Sequence, residues 1–289
     1  MSGFTPSEPV DVRHYMSEYF RLERWEIPSA DGDEGLSEFG GRVPLDPHHR
    51  GAGGGMRTGV LLTNVDSVGG FLAGLSVLPR WTVTTSLMAT VTRLDHRGPL
   101  RLHGRVLRRG RNSVVAGLTV ADEGRGDVLV AAATGTFAVL DPGDMRLEFP
   151  RPATVPMPPP MANTPLPEAF FRIDPGVGTT TRLELADHLR NPWGILHGGA
   201  VAVLVDVAAC RAAASTGAGR VTVEGLAAAD TVLHYLRPVR VGPVEARCSV
   251  VGGPSGRALV RVAVHDLGAE DRLVSLASVV VLEVRPGLG

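Results

Sequence analysis

Asn191-Pro192-Trp193-Gly194-Ile195-Leu196-His197-Gly198-Gly199 is a polar, glycine-bearing loop that runs directly into Ala200–Ala214, the most apolar stretch of the chain. Apolar and small residues cover nearly every position from Gly198 to Thr216, so a helix here is buried on most sides. Its first backbone N–H groups have no partner within the helix, and they carry the positive end of its dipole. Glycine at that point lets a ligand carbonyl come close to the backbone. Asp206 follows inside the apolar run, where a carboxylate is costly without a partner or a task.

The same pattern occurs earlier. Adding 140 to each number carries Arg42–Asp66 onto Arg182–Asp206, with His48 on His188, Arg50 on Arg190, Gly54 on Gly194, Gly59 on Gly199 and Asp66 on Asp206. Farther along the offset becomes 144, so that Gly98-Pro99 matches Gly242-Pro243, Asp122 matches Asp266 and Asp127 matches Asp271. The chain therefore reads as two copies of one unit. Each copy begins with a short strand (Gly41–Leu45, Thr181–Leu185) and a loop, then a helix (Gly59–Leu78, Gly198–Thr216). Four strand-like runs follow: Thr82–Thr92, Leu100–Arg108, Ser113–Ala121 and Val128–Leu140 in the first copy. The second has Leu226–Leu236, Val244–Gly252, Ala258–Asp266 and Leu273–Val284. An α+β architecture is predicted, in which each antiparallel sheet wraps one helix and the two sheets join edge to edge, hiding exposed strand edges.

The expected domains are a first unit at 36–140, a Pro-rich spacer at 141–167 and a second unit at 168–289. Residues 1–35 read as an extension, with Val10–Trp25 a candidate helix. With 44% hydrophobic and 20% charged residues the composition is that of a globular protein. A net charge of -1 gives no basic field for nucleic acid or an anionic membrane. Ala200–Ala214, interrupted by Asp206 and Arg211, is too short to span a bilayer. Cys210 and Cys248 lack metal-ligand spacing, as do His48, His96, His103, His188, His234 and His265. Met1–Pro6 shows no leader pattern. A cytoplasmic protein without metal or cofactor is the expectation.

The Asn191–Gly199 loop with Asp206 resembles the N-x-x-G-x-x-H-G-G-x(6)-D signature of hotdog thioesterases, in particular the PaaI-like branch of the 4-hydroxybenzoyl-CoA thioesterase superfamily. Tyr235-Leu236-Arg237-Pro238 and Gly256-Arg257 resemble strand signatures of that family. The resemblance covers most of Thr181–Val284 and reaches Arg42–Leu140 only through the repeat. It implies a double hotdog that hydrolyses an acyl-CoA to free acid and coenzyme A, with acyl-CoA as partner and a homo-oligomer possible. The alternatives are a non-catalytic acyl-CoA-binding protein and a hotdog dehydratase or hydratase.

Helix geometry decides which residues can cooperate. Eight residues separate Gly198 from Asp206, about 12 Å along a helix, so one carbonyl cannot touch both. Two antiparallel helices would instead bring each helix start to the other's aspartate. Site one then combines Asn191, His197, Gly198 and Gly199 with Asp66. The resemblance adds Thr84, on the strand after the helix, to hold water. The expected roles are Gly198 N–H as oxyanion donor, Asp66 as base or nucleophile, and Asn191 and His197 as groups that fix the acyl group or water. Gly199 and Trp193 are expected to bind substrate; for Trp81, as for Trp193, an acyl pocket and core packing are equally good explanations. Site two pairs Asp206 with Gly51, Arg57, Thr58 and Gly59, and has Ala228 in place of Thr84. All departures from the motif fall there, so site two is expected to be degenerate.

Overall fold

A computed structural model describes residues 15–24, 37–141, 157–161, 163–174, 176, 178–216, 222–253 and 256–284. Most of the spacer predicted at 141–167, including Pro156, lies outside them, as do Val10–His14 and Trp25 of the candidate N-terminal helix.

In the first half a short helix α1 (Tyr15–Phe20) and strands β1 (Glu23–Arg24) and β2 (Glu38–Val43) precede the long helix α2 (Thr58–Leu75). Strands β3 (Trp81–Val91), β4 (Leu100–Arg109), β5 (Ser113–Asp122) and β6 (Val128–Leu140) follow. The second half repeats the order, with α3 (Pro167–Phe170), β7 (Ile173–Asp174), β8 (Thr180–Leu183) and the long helix α4 (Gly198–Thr216). It ends with β9 (Leu226–Tyr235), β10 (Val244–Gly252), β11 (Arg257–Asp266) and β12 (Arg272–Glu283). α2 stops three residues before the expected Leu78; of these three, Leu78 is disfavoured in a helix because it precedes Pro79.

Among the described residues the strands form one sheet of 12 in the order β1-β2-β4-β5-β6-β3-β9-β12-β11-β10-β8-β7. The order reads the same from either end once the halves are exchanged. β3 and β9 make the antiparallel seam, and its central pair, Met88 with Val232, consists of residues at equivalent positions of the two copies. The aspartates that marked the repeat downstream hold matching turns. Asp122 accepts the N–H groups of Arg97, Gly98 and Gly124, and Asp266 accepts that of Gly242.

α2 and α4 cross at their glycines. Thr63 Oγ1 donates to the Gly59 carbonyl at 2.8 Å in its own helix and lies 3.0 Å from the Gly199 carbonyl of the other. A Cβ on Gly59 would stand 2.8 Å from Val203 Cα, and one on Gly199 would stand 2.9 Å from Thr63 Cα. Backbone atoms cannot rotate away from such a contact. Gly199→Ala should therefore destabilise the fold by about 1–3 kcal/mol or more, read as a lowered urea midpoint at unchanged slope.

Both long helices pass a length-and-composition test for crossing a membrane, and most of each is buried inside the fold. The apolar run Ala200–Ala214 has 15 residues, whereas α4 has 19 and is long enough to pass that test. α1 packs into the core against both halves: Met16, Tyr19 and Phe20 are buried, and Tyr19 stacks on Phe170 of α3, in the second half, at 3.8 Å.

Candidate active site

The antiparallel crossing brings Asp66, in the third turn of α2, to the first turn of α4. Asp66 Oδ1 accepts the Thr84 hydroxyl at 2.7 Å, and Oδ2 lies 3.7 Å from His197 Nδ1. A β-bulge between Thr84 and Ser86 in the β3–β6 ladder adds the irregularity that turns Thr84 toward the helix. The Gly199 N–H donates to His197 Nδ1 at 3.0 Å and also faces the Asp66 carboxylate. A Cβ on Gly198 would stand 2.8 Å from Asp66 Oδ2, which shows how closely that backbone approaches the acid.

Burial dominates the electrostatics. It raises the Asp66 pKa from 3.8 to about 6, against the lowering effects of the Thr84 hydroxyl and the Gly199 N–H. It also lowers His197 to about 4, so the imidazole is neutral at pH 7. Because Nδ1 accepts the Gly199 hydrogen, the ring proton belongs on Nε2, and the contact with Asp66 is not an ion pair.

These shifts have two measurable consequences. If ionised Asp66 is the active form, kcat/KM should rise through an apparent pKa of about 6 and level off above it. Folding raises the Asp66 pKa, so stability present below pH 3.8 is lost as the pH climbs through about 6. Asp66→Asn should consequently be more stable than wild type at pH 8, by on the order of 2–3 kcal/mol at most, and not at pH 4. Thermal melts at the two pH values check this.

A cavity of about 460 Å³ opens on Asp66, Thr84, His197 and Gly198, and is also lined by Asn191, Trp81 and Trp193. Two of the expected site residues have structural partners of their own. Asn191 Oδ1 accepts the N–H groups of Trp193 at 3.0 Å and Ile195 at 3.3 Å, while the Asn191 carbonyl accepts Gly194 N–H. Its side chain therefore shapes the loop, with the left-handed Gly194 (φ 69°) completing the turn, and only its NH₂ group is left for a ligand. Gly199 does not line the cavity; it is the contact with Thr63 described above, which excludes a side chain there.

In the sequence Tyr235 stands out only as part of a strand signature. Its hydroxyl donates to the Gly198 carbonyl at 2.9 Å and its ring lines the same cavity. Burial, then the Asp66 charge, push its pKa well above the ordinary value, so it stays a neutral phenol. Nothing local in the sequence marks this contact, because 37 residues separate its ends.

Site two differs at each point. Arg57, in the place of His197, directs Nε at Asp206 Oδ2 from 3.8 Å and pairs with Glu168. Burial raises the Asp206 pKa, opposed by Arg57 and the Gly59 N–H. The Thr58 hydroxyl is bound to the Ala228 carbonyl, and Ala228 offers no hydroxyl to the acid. Asp206 thus faces a fixed cation where Asp66 faces neutral groups.

Away from both sites, Asp46, His48 and His49 bring possible metal-ligand atoms within 4.8 Å of one another. The short helical turn Pro47–His49 makes this grouping, which the absence of a known ligand spacing had not suggested. The Arg21 guanidinium already sits on Asp46 at 3.1 Å.

The family model of the thioesterase superfamily matches residues 194–270. No curated protein matches the chain. Among solved structures, an acyl-CoA thioesterase II from Mycobacterium marinum is 18% identical, with 94% of this chain and 99% of that chain covered at a TM-score of 0.57. A conserved protein with hot dog fold from Alicyclobacillus acidocaldarius is 16% identical, with 95% and 100% covered at 0.57. An acyl-ACP thioesterase from Bacteroides thetaiotaomicron is 12% identical, with 84% and 97% covered at 0.55. At these identities the likeness is one of fold, and it assigns the α+β hotdog architecture to this chain.

Proposed function

We propose that the protein is a thioester hydrolase that cleaves acyl-CoA to a carboxylic acid and coenzyme A at site one alone. One observation carries the proposal: a buried carboxylate with a pKa near neutrality, Asp66, lies against the start of a helix from the other half of the chain. That arrangement supplies a base and an oxyanion donor to the same point in space.

The thioester carbonyl oxygen accepts the Gly198 N–H, which no carbonyl of α4 can reach. Asp66 removes a proton from water positioned with the help of Thr84, and the water oxygen bonds to the carbonyl carbon. Collapse of the tetrahedral intermediate breaks the C–S bond. The departing sulfur takes the proton from Asp66, leaving the free acid and the coenzyme A thiol. His197, neutral, orients its Nε2–H donor without adding charge. Arg237 and Arg240 line the same cavity and suit the anionic phosphates of the leaving group.

The match to the thioesterase superfamily over 194–270 supports this reading. The PaaI-like branch is proposed on the Asn191–Gly199 motif alone. Purified protein assayed for thiol release against a panel of acyl-CoA thioesters tests the function. Turnover is expected; measurable binding of a thioether analogue without turnover of any member would contradict hydrolysis and favour a binding module.

A further inference from the structure

We propose that the acyl part of the substrate is an apolar group lying along α2 beyond Asp66, and that Gly70 sets how deep it reaches. This rests on the hydrolase reading above. In α2 every residue is buried except Ser67, Gly70 and Phe71. These three are one, four and five positions past Asp66, on a single face of the helix, and all of them line the site-one cavity. A helix otherwise enclosed by protein therefore turns one stripe toward open volume.

The opposite wall is largely apolar, with the Thr82 and Thr85 hydroxyls of β3 set among its apolar groups. Trp81 and Val83 of β3, Leu140 of β6 and Met16 of α1 complete it. Trp81 pairs with Leu140 across the ladder and meets Phe71 edge-on, with ring centroids 6.2 Å apart. A charged acyl terminus placed there would lose its hydration and meet no cation among the wall residues, only the Thr82 and Thr85 hydroxyls. Arg237 and Arg240 enter the cavity from the second half, beyond β9, where the coenzyme A portion would leave.

Gly70 is unlike its neighbours. A Cβ on Gly69 would stand 2.9 Å from Phe137, and one on Gly74 would collide with Trp81. A Cβ on Gly70 meets only the Phe137 ring, at 3.9 Å. Glycine at 69 and 74 serves packing, whereas at 70 it leaves space in the cavity. The second copy carries larger side chains on the same stripe, and Cys210 lines a cavity of about 420 Å³ at site two. The positions equivalent to Ser67 and Gly70 are Val207 and Cys210, both buried, with Cys210 Sγ 4.0 Å from Asp206 Oδ1. Asp66 and Gly70 are separated by about 6 Å of helix, so a short acyl group bound at Asp66 does not reach Gly70 while a longer one must pass it.

The test compares acetyl-, butyryl-, octanoyl- and succinyl-CoA as substrates for wild type, Gly70→Ala and Gly70→Leu. Each protein's fold is checked by its thermal melt. Wild type should prefer octanoyl-CoA to succinyl-CoA. The ratio of octanoyl to acetyl kcat/KM should fall by at least about 30-fold in Gly70→Leu, and by less in Gly70→Ala. Gly70→Ala adds one methyl group and keeps the test open if Gly70→Leu does not fold. An active wild type whose chain-length ratio is unchanged in the folded variants, or one that favours succinyl-CoA, overturns this proposal and leaves the hydrolase reading standing. A wild type that releases thiol from no substrate overturns both.

Discussion

Asp66→Asn should lower kcat/KM for thioester hydrolysis by about 10²–10⁴-fold, the range that a positioned general base contributes. The amide cannot take a proton from water, and at neutral pH no neighbouring group can replace it. His197 accepts the Gly199 hydrogen on Nδ1 and is held neutral with a pKa of about 4, while Tyr235 is a phenol whose pKa lies well above the ordinary value. Thr84 retains a hydroxyl but no base. The fold should survive, because asparagine has nearly the same shape and the buried charge is itself a cost at pH 8. A catalytic loss accompanied by higher stability is what separates a working carboxylate from a structural one.

Gly198→Ala should cost at least about 10²-fold in kcat, comparable to removing an oxyanion donor elsewhere. The added Cβ would stand 2.8 Å from Asp66 Oδ2 and 3.3 Å from Tyr235 Cζ. Neither neighbour yields easily: Asp66 is held by Thr84, and Tyr235 by its bond to the Gly198 carbonyl. Relief requires α4 to shift away from α2, which carries the Gly198 N–H off the position of the developing oxyanion. The same substitution at Thr58, the equivalent position in site two, removes only a hydroxyl bonded to the Ala228 carbonyl. Steady-state kinetics of Gly198→Ala beside Thr58→Ala measures the contrast; equal losses would place the chemistry elsewhere.

Much of this architecture was legible because periodicity and repetition are local signals. α4 begins and ends at Gly198 and Thr216, as its apolar run indicates, and β6 and β10 have the predicted bounds. The pairing of Gly198 with Asp66 was also readable, since a rise of about 1.5 Å per residue forbids the alternative within one helix. What escaped depends on which atoms meet after folding. Asn191 carries the expected side chain, yet its oxygen is taken up by two N–H groups of its own loop. Gly199 is required by Thr63 of the opposing helix, a contact across 136 residues. The departures of site two from the motif were visible as missing residues, whereas the Arg57 bridge between Asp206 and Glu168 was not, because Glu168 arrives from α3.

The claim that the two halves build one working site and one locked site is tested most directly by thiol release from Asp66→Asn and Asp206→Asn side by side. Asp206→Asn should keep most of the wild-type kcat/KM, while Asp66→Asn should lose at least about 10²-fold. Loss in Asp206→Asn with activity retained in Asp66→Asn would contradict it.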